Sequence, residues 1–148
     1  MGSEMCIRDR NKRVFACGCN DGFVRLWSYV DEMPEELVAF PGESSVLSMA
    51  FSSDGEFLIA GGESGDVRLW RLGDPPRLAE FPVASGPVVS VAFIEKTNRI
   101  LLGIGSAKAK EAELGAWEIE DNHAGPMLHH VASPKLGGAT GVLSLIHI

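Results

Sequence analysis

No apolar run in the 148 residues approaches the roughly 20 that a bilayer-spanning helix needs, so no membrane span is expected. Positive charge is also short. Against 20 Asp and Glu there are 13 Lys and Arg, a formal charge of −7. That balance argues against a nucleic-acid partner, because a phosphate backbone demands clustered basic side chains. The longest basic cluster, Arg8 to Arg13, reads as a solvated turn. Cysteine is scarce, and Cys6, Cys17 and Cys19 make no disulfide framework. Cys17 and Cys19 lie two apart and fall on one face of an expected strand, with no second Cys pair or nearby His to complete a zinc site. They read as small packing residues, with reducing surroundings expected.

Catalytic signatures are missing too. There is no Gly-x-Ser-x-Gly elbow, phosphate loop or His-Glu metal helix, and Gly103-Ile104-Gly105 lacks the helix and acidic partner of a dinucleotide site. His129 and His130 are adjacent on an expected strand, so their rings point to opposite faces and cannot share an ion. His123 beside Asp121 and Asn122 is a loop cluster. Glu35-Glu36, Glu118 and Glu120 read as solvent-facing charge. No catalytic, metal or cofactor-binding residue is therefore expected, and the protein is expected not to be an enzyme.

What the chain does contain is repetition. Val24-Arg25-Leu26-Trp27 returns as Val67-Arg68-Leu69-Trp70, and a third Trp stands at 117, giving separations of 43 and 47 residues. Val46-Leu47-Ser48-Met49-Ala50-Phe51 matches Val88-Val89-Ser90-Val91-Ala92-Phe93 at an offset of 42. Self-similarity at this period marks a propeller or solenoid, in which copies of one unit bury each other's faces. Between these runs lie turn signals, Ser53-Asp54-Gly55 and Glu63-Ser64-Gly65, with a further short run at Leu78 to Phe81 after Pro75-Pro76. Such punctuation bounds strands, because Gly, Pro, Asp and Ser supply turn dihedrals and fit a ladder badly. Four strands per unit is the blade of a propeller.

On these blocks the chain resembles the WD-repeat β-propeller family over roughly residues 14 to 144, best over 37 to 72. The resemblance implies an all-β fold of four-stranded antiparallel blades, with Trp27, Trp70, Trp117, Asp21, Asp54 and Gly55 as structural repeat positions. The departures matter as well. The family's His positions fall on Gly42, Ala84 and Gly138, its turn Asp survives as Asp21 but becomes Ser64, and its Asp after Trp becomes Ser28, Arg71 and Glu118. Loss of the family's His-Ser-Asp-Trp hydrogen-bond network implies blades held by apolar packing and turn chemistry. Arg25 and Arg68 are expected to cap or snorkel over apolar surface.

Blades are expected at about 14–40 (incomplete), 46–81 and 88–131, with a fourth starting at 141. Three blades cannot close a ring that needs about four to eight. Met5 to Arg10 and Leu143 to Ile148 resemble peptides produced when sequencing-adapter DNA is translated at the ends of environmental contigs. Residues 1–10 and 143–148 are accordingly expected to be non-native, flanking a propeller fragment at 11–142. The alternative makes Met5 and Ile7 part of a degenerate inner strand, although Glu4 and Arg8 fit such an apolar strand poorly. No compartment is assigned beyond the cytoplasm as a default. The uncovered faces are expected to drive self-association.

Function then falls to the loops. The resemblance implies a protein or peptide partner at a rim made by the turns between second and third strands and by the links between blades. The candidate partner-binding residues there are Asn20, Glu43, Ser44, Glu63, Ser64, Ser85, Lys108, Lys110 and Glu111. The last three sit in an enlarged loop, which either carries binding or is a solvated decoration. The expected role is a non-catalytic scaffold for protein interaction. Two alternatives stay open: part of a propeller enzyme, either a quinone-cofactor dehydrogenase or a hydrolase, or a propeller fused to a signalling or catalytic domain.

Overall fold

The computed structural model describes residues 5–8, 14–30, 33–73, 76–82, 86–105, 113–122 and 125–132. Among them lie β1 (Met5–Arg8), β2 (Val14–Gly18), β3 (Val24–Val30), β4 (Met33–Phe40), β5 (Val46–Phe51), β6 (Phe57–Gly62), β7 (Asp66–Arg71), β8 (Arg77–Pro82), β9 (Val88–Phe93), β10 (Arg99–Ile104), β11 (Glu113–Asn122) and β12 (Gly125–Ala132). They form three four-stranded sheets, β1 to β4, β5 to β8 and β9 to β12, each paired antiparallel in sequence order. The fold is all-β, and the three sheets are blades of a propeller whose ring is not closed.

Turn chemistry at the expected positions makes the hairpins. Between β5 and β6, Asp54 Oδ1 accepts bonds from the Ser52 hydroxyl (2.6 Å) and the Glu56 amide (2.9 Å), while Gly55 takes φ 71°. That left-handed angle is open to glycine without the Cβ clash other residues meet. Between β2 and β3, Asp21 Oδ1 accepts the Phe23 amide at 3.0 Å and Gly22 adopts φ 86°. A side chain at Gly22 would also place its Cβ 2.2 Å from the Gly42 carbonyl oxygen, so the turn sits hard against the next blade.

Alternation along each strand sends neighbouring residues to opposite faces, and blade 2 uses both. Leu58, Ala60 and Trp70 pack on Ala16, Leu26 and Phe40 of blade 1. Ile59, Val67 and Leu69 pack on Val88, Ile100 and Leu102 of blade 3. The three Trp differ in depth for the same reason. Trp70, enclosed by two blades, is fully buried and stacks on Phe40 with ring centroids 5.0 Å apart. Trp117 reaches its preceding blade but is only half-buried, and Trp27 has Phe15 of its own blade beside it at 6.3 Å.

Three expectations need correction. Blade 1 has four strands, because Met5–Arg8 pairs with β2 as its inner strand. A ladder uses backbone groups that every non-proline residue carries, so Arg8 does not prevent the pairing. The β1–β2 register also sets Cys6 opposite Cys17, and the two form a disulfide with Cα atoms 4.1 Å apart. This bond corrects the expectation that the three cysteines form no disulfide, and with it the ground for expecting reducing surroundings is removed. Finally, Arg68 does not snorkel. It is 1% exposed, and its Nη1 donates to the Gly22 carbonyl at 2.8 Å.

Candidate functional site

The turns between second and third strands meet the links between blades along one edge of the arc. Ser45 donates its hydroxyl to the Asn20 carbonyl (2.9 Å), the Val46 amide bonds the Cys19 carbonyl (3.2 Å), and the Glu63 amide bonds the Ser45 carbonyl (2.9 Å). Blade 1 turn, link and blade 2 turn therefore form one continuous rim. At blade 3 the Gly105 amide bonds the Pro87 carbonyl at 2.8 Å, extending the same edge. These bonds tie the loops to one another, so the exposed side chains upon them hold a set spacing.

Of the candidate partner-binding residues, the structure brings together Asn20, Glu43, Ser44, Glu63 and Ser64. Asn20, Glu43, Glu63 and Ser64 are exposed. Asp21, exposed beside Asn20, forms an ion pair with Arg25 at 3.1 Å. The amide of Phe23 and the Arg25 guanidinium hold its carboxyl below the ordinary Asp range. Ser85, Lys108, Lys110 and Glu111 lie outside the described residues, as does the expected fourth-blade strand from 141.

Beneath the rim lies a polar cluster that sequence reading missed. Asp66 Oδ1 accepts the Ser44 hydroxyl at 2.5 Å and the Ser64 hydroxyl at 2.6 Å, and its Oδ2 lies 3.6 Å from Arg68 Nε. Arg68 in turn reaches the Gly22 and Pro41 carbonyls of blade 1, at 2.8 and 3.4 Å. The family's lost network thus has a replacement in blade 2. Two hydroxyls and a guanidinium now organise the turn, rather than packing alone. Signals were present in Ser44, Ser64 and Asp66, but only the fold brings the first within bonding distance of the last.

Burial opposes ionisation of Asp66, yet the Ser44 and Ser64 hydroxyls and the nearby guanidinium outweigh it and leave the carboxyl below its ordinary value. Burial likewise lowers Arg68, with Asp66 opposing the shift. A carboxyl depressed on folding contributes stability that is present above its unfolded pKa and lost as pH falls through the folded value. Replacing Asp66 with Asn should therefore cost about 2 kcal/mol at pH 7. The gap to wild type should narrow below about pH 4, the unfolded Asp range. Urea midpoints for both proteins at pH 7 and pH 3 test this; an equal gap at both would rule it out.

On the opposite edge, the Arg71 guanidinium bonds the Asp121 carboxylate of blade 3 and approaches Glu56 at 4.0 Å. Arg71 stands where the family carries Asp, so the departure creates a tie between blades. A cleft of about 200 Å³ lies beside it, lined by Ser52, Asp54, Phe57, Phe93, Asn98 and Asp121 among others. His129 pairs with Glu120 at 2.7 Å, whereas His130 sits edge-on to Trp117 at 4.8 Å, so the two rings do diverge. Among the described residues no three His, Cys, Asp or Glu side chains converge on a metal-sized site.

Residues 34–71 match the family described as WD domain, G-beta repeat. That span runs from β4 of blade 1 to β7 of blade 2, so one repeat of sequence straddles two sheets and stitches them together. The chain is similar to the human lysosomal-trafficking regulator, 37% identical over 45% of this chain and 2% of that protein. It is also similar to human U3 small nucleolar RNA-interacting protein 2, 28% identical over 78% of this chain and 26% of that protein. Among solved structures, the RRP9 WD40 repeats superpose with a TM-score of 0.72 at 20% identity, covering 90% of this chain and 38% of that one. The chain spans only a small part of these curated relatives. With a matched repeat, three blades in consecutive strand order and WD40 repeats as structural neighbours, the chain carries a WD repeat at residues 34–71 and has the fold of a WD40 β-propeller.

Proposed function

We propose that this segment is a non-catalytic scaffold whose rim binds a basic stretch of a protein or peptide. The carrying observation is the continuous edge from Asn20 to Ser64, on which Glu43 and Glu63 stand exposed while Asp21 and Arg25 offset each other. A rigid edge with excess negative charge attracts a cationic partner and repels an anionic one. The name of the U3 small nucleolar RNA-interacting protein refers to RNA. Here the formal charge of −7 and the acidic edge favour a polypeptide over a phosphate backbone.

Fluorescence anisotropy with a Lys/Arg-rich peptide and an acidic peptide of equal length tests the proposal. Only the basic peptide should bind, more weakly as salt rises. Glu43→Gln with Glu63→Gln should weaken it about tenfold, the equivalent of roughly 1.4 kcal/mol. Equal affinity for both peptides, or no response to the double substitution, would overturn the reading.

A further inference from the structure

On the edge opposite the rim, the β5–β6 turn, the β9–β10 turn and the end of β11 surround the cleft of about 200 Å³ between blades 2 and 3. Its size selects a class of occupant. Sites for cofactors and drug-sized ligands run to about 300–1,000 Å³, so this one admits a single side chain. Its apolar wall comes from Phe57, Phe93, Ile94 and Ile119, and Phe57 and Phe93 pack on the core shared by the two blades while part of each stays accessible. An occupant must therefore bring an apolar stem.

The polar lining disfavours an anion. The Ser52 hydroxyl donates to Asp54 Oδ1 (2.6 Å), the Thr97 hydroxyl to the Ile94 carbonyl (2.8 Å), and the Asn98 side-chain amide to Glu118 Oε1 (3.0 Å) and the Ile119 carbonyl (3.1 Å). Those donors are spent within the protein, so a phosphate or carboxylate entering the cleft would give up water and gain little in return.

Charge points the same way. Asp54 and Asp121 line the cleft and Glu56 adjoins it, and against these three carboxylates stands the Arg71 guanidinium, which bonds Asp121 and approaches Glu56 at 4.0 Å. Lys96 and Arg99 of the adjoining turn are exposed and are matched by Glu95 and by Glu118, the cross-strand neighbour of Arg99. The local balance is negative.

We propose that this cleft seats one lysine side chain of a partner protein, its four-carbon stem on the Phe57 and Phe93 wall and its ammonium beside Asp54. A long cationic side chain buries its stem and keeps its head hydrated, which suits an apolar wall below an exposed carboxylate. Lysine is favoured over arginine because a planar guanidinium gains most from a carboxylate that offers both oxygens. Asp121 already bonds Arg71, and Asp54 Oδ1 already accepts from Ser52 and Glu56, so neither carboxylate is open in that way. The site shares no residue with the rim, and the two readings stand or fall separately.

NMR titration of the isotope-labelled full chain with a capped Gly-Gly-Lys-Gly-Gly peptide tests this, with the Nε-acetyl-lysine peptide as the uncharged control and a Glu-centred peptide as the anionic one. The amide signals of Asp54, Phe57 and Asn98 should shift with the lysine peptide, and acetylation should raise the Kd about tenfold or more. Asp54→Asn, which keeps the oxygen that the turn needs, should raise it about tenfold. Ser53→Lys, at an exposed position, should abolish binding by placing one of the chain's own cations at the lip. Glu43→Gln with Glu63→Gln should leave binding unchanged. The proposal is overturned if either control peptide shifts these signals equally, if the shifts fall on Asn20 and Glu63 instead, or if both cleft variants, with β circular dichroism intact, bind as the wild type does. Shifts with n-butylammonium but not with the lysine peptide would also overturn it, marking a site for free amines and not for a protein side chain.

Discussion

Replacing Trp70 with alanine will remove about 3–5 kcal/mol of stability, the largest loss expected from any single apolar truncation among the described residues. Trp70 is fully buried, stacks on Phe40 of blade 1 and has the Arg68 guanidinium 5.6 Å from its ring centre. Truncation leaves a void that two sheets must share, and sheets joined by twisted ladders collapse into such a void only in part. For a domain whose whole stability is about 5–15 kcal/mol, that fraction decides whether it stays folded. Trp27→Ala should lose less, about 1–2 kcal/mol, because its side chain is only half-buried. The Trp70 indole N–H has no hydrogen-bond partner. Trp70→Phe therefore removes a stranded donor along with some volume and should fall between the two. Urea unfolding followed by circular dichroism gives the order. Equal losses at 70 and 27 would show that burial between blades is not what the repeat Trp contributes.

Removing the buried cation will divide according to what replaces it. Arg68→Ala should lose about 3–4 kcal/mol, since it empties a cavity and leaves the Gly22 and Pro41 carbonyls without their donor. Arg68→Met should stay within about 1 kcal/mol of wild type, or exceed it. The guanidinium has one good acceptor, a long one at 3.4 Å and a carboxylate 3.6 Å away, while its Nε and Nη2 make no hydrogen bond. A charge so thinly compensated contributes little net stability, and an unbranched thioether of similar reach can fill its space. If Met proves as damaging as Ala, the carbonyl bonds and not the volume hold the rim to blade 1.

Much of this was legible beforehand. Asp54-Gly55 makes its turn within five residues, and Asp21 bonds the Phe23 amide two residues on, so short-range chemistry suffices to place both. The strands around Trp27, Trp70 and Trp117 followed from period and alternation. The rim was legible only as a set of positions, Asn20, Glu43, Ser44, Glu63 and Ser64. Their union into one edge depends on bonds such as Ser45 to Asn20, which span 25 residues. Arg68 was misread because its neighbours in sequence, Val67 and Leu69, face blade 3, whereas its own partner Gly22 lies 46 residues earlier in the chain. The Cys6–Cys17 bond was missed for a like reason: it depends on a cross-strand register, not on spacing within a strand.

Strand, turn and repeat are written in local patterns, because backbone dihedrals and the alternation of side chains respond to the residues beside them. Whether a polar residue is buried, and against what, is settled only when sheets stack. Arg25 and Arg68 occupy the same place in the repeat, yet one pairs with Asp21 near solvent and the other is sealed between blades. Identical chemistry at equivalent positions acquires different roles from what packs against it, and that is a property of the assembled arc.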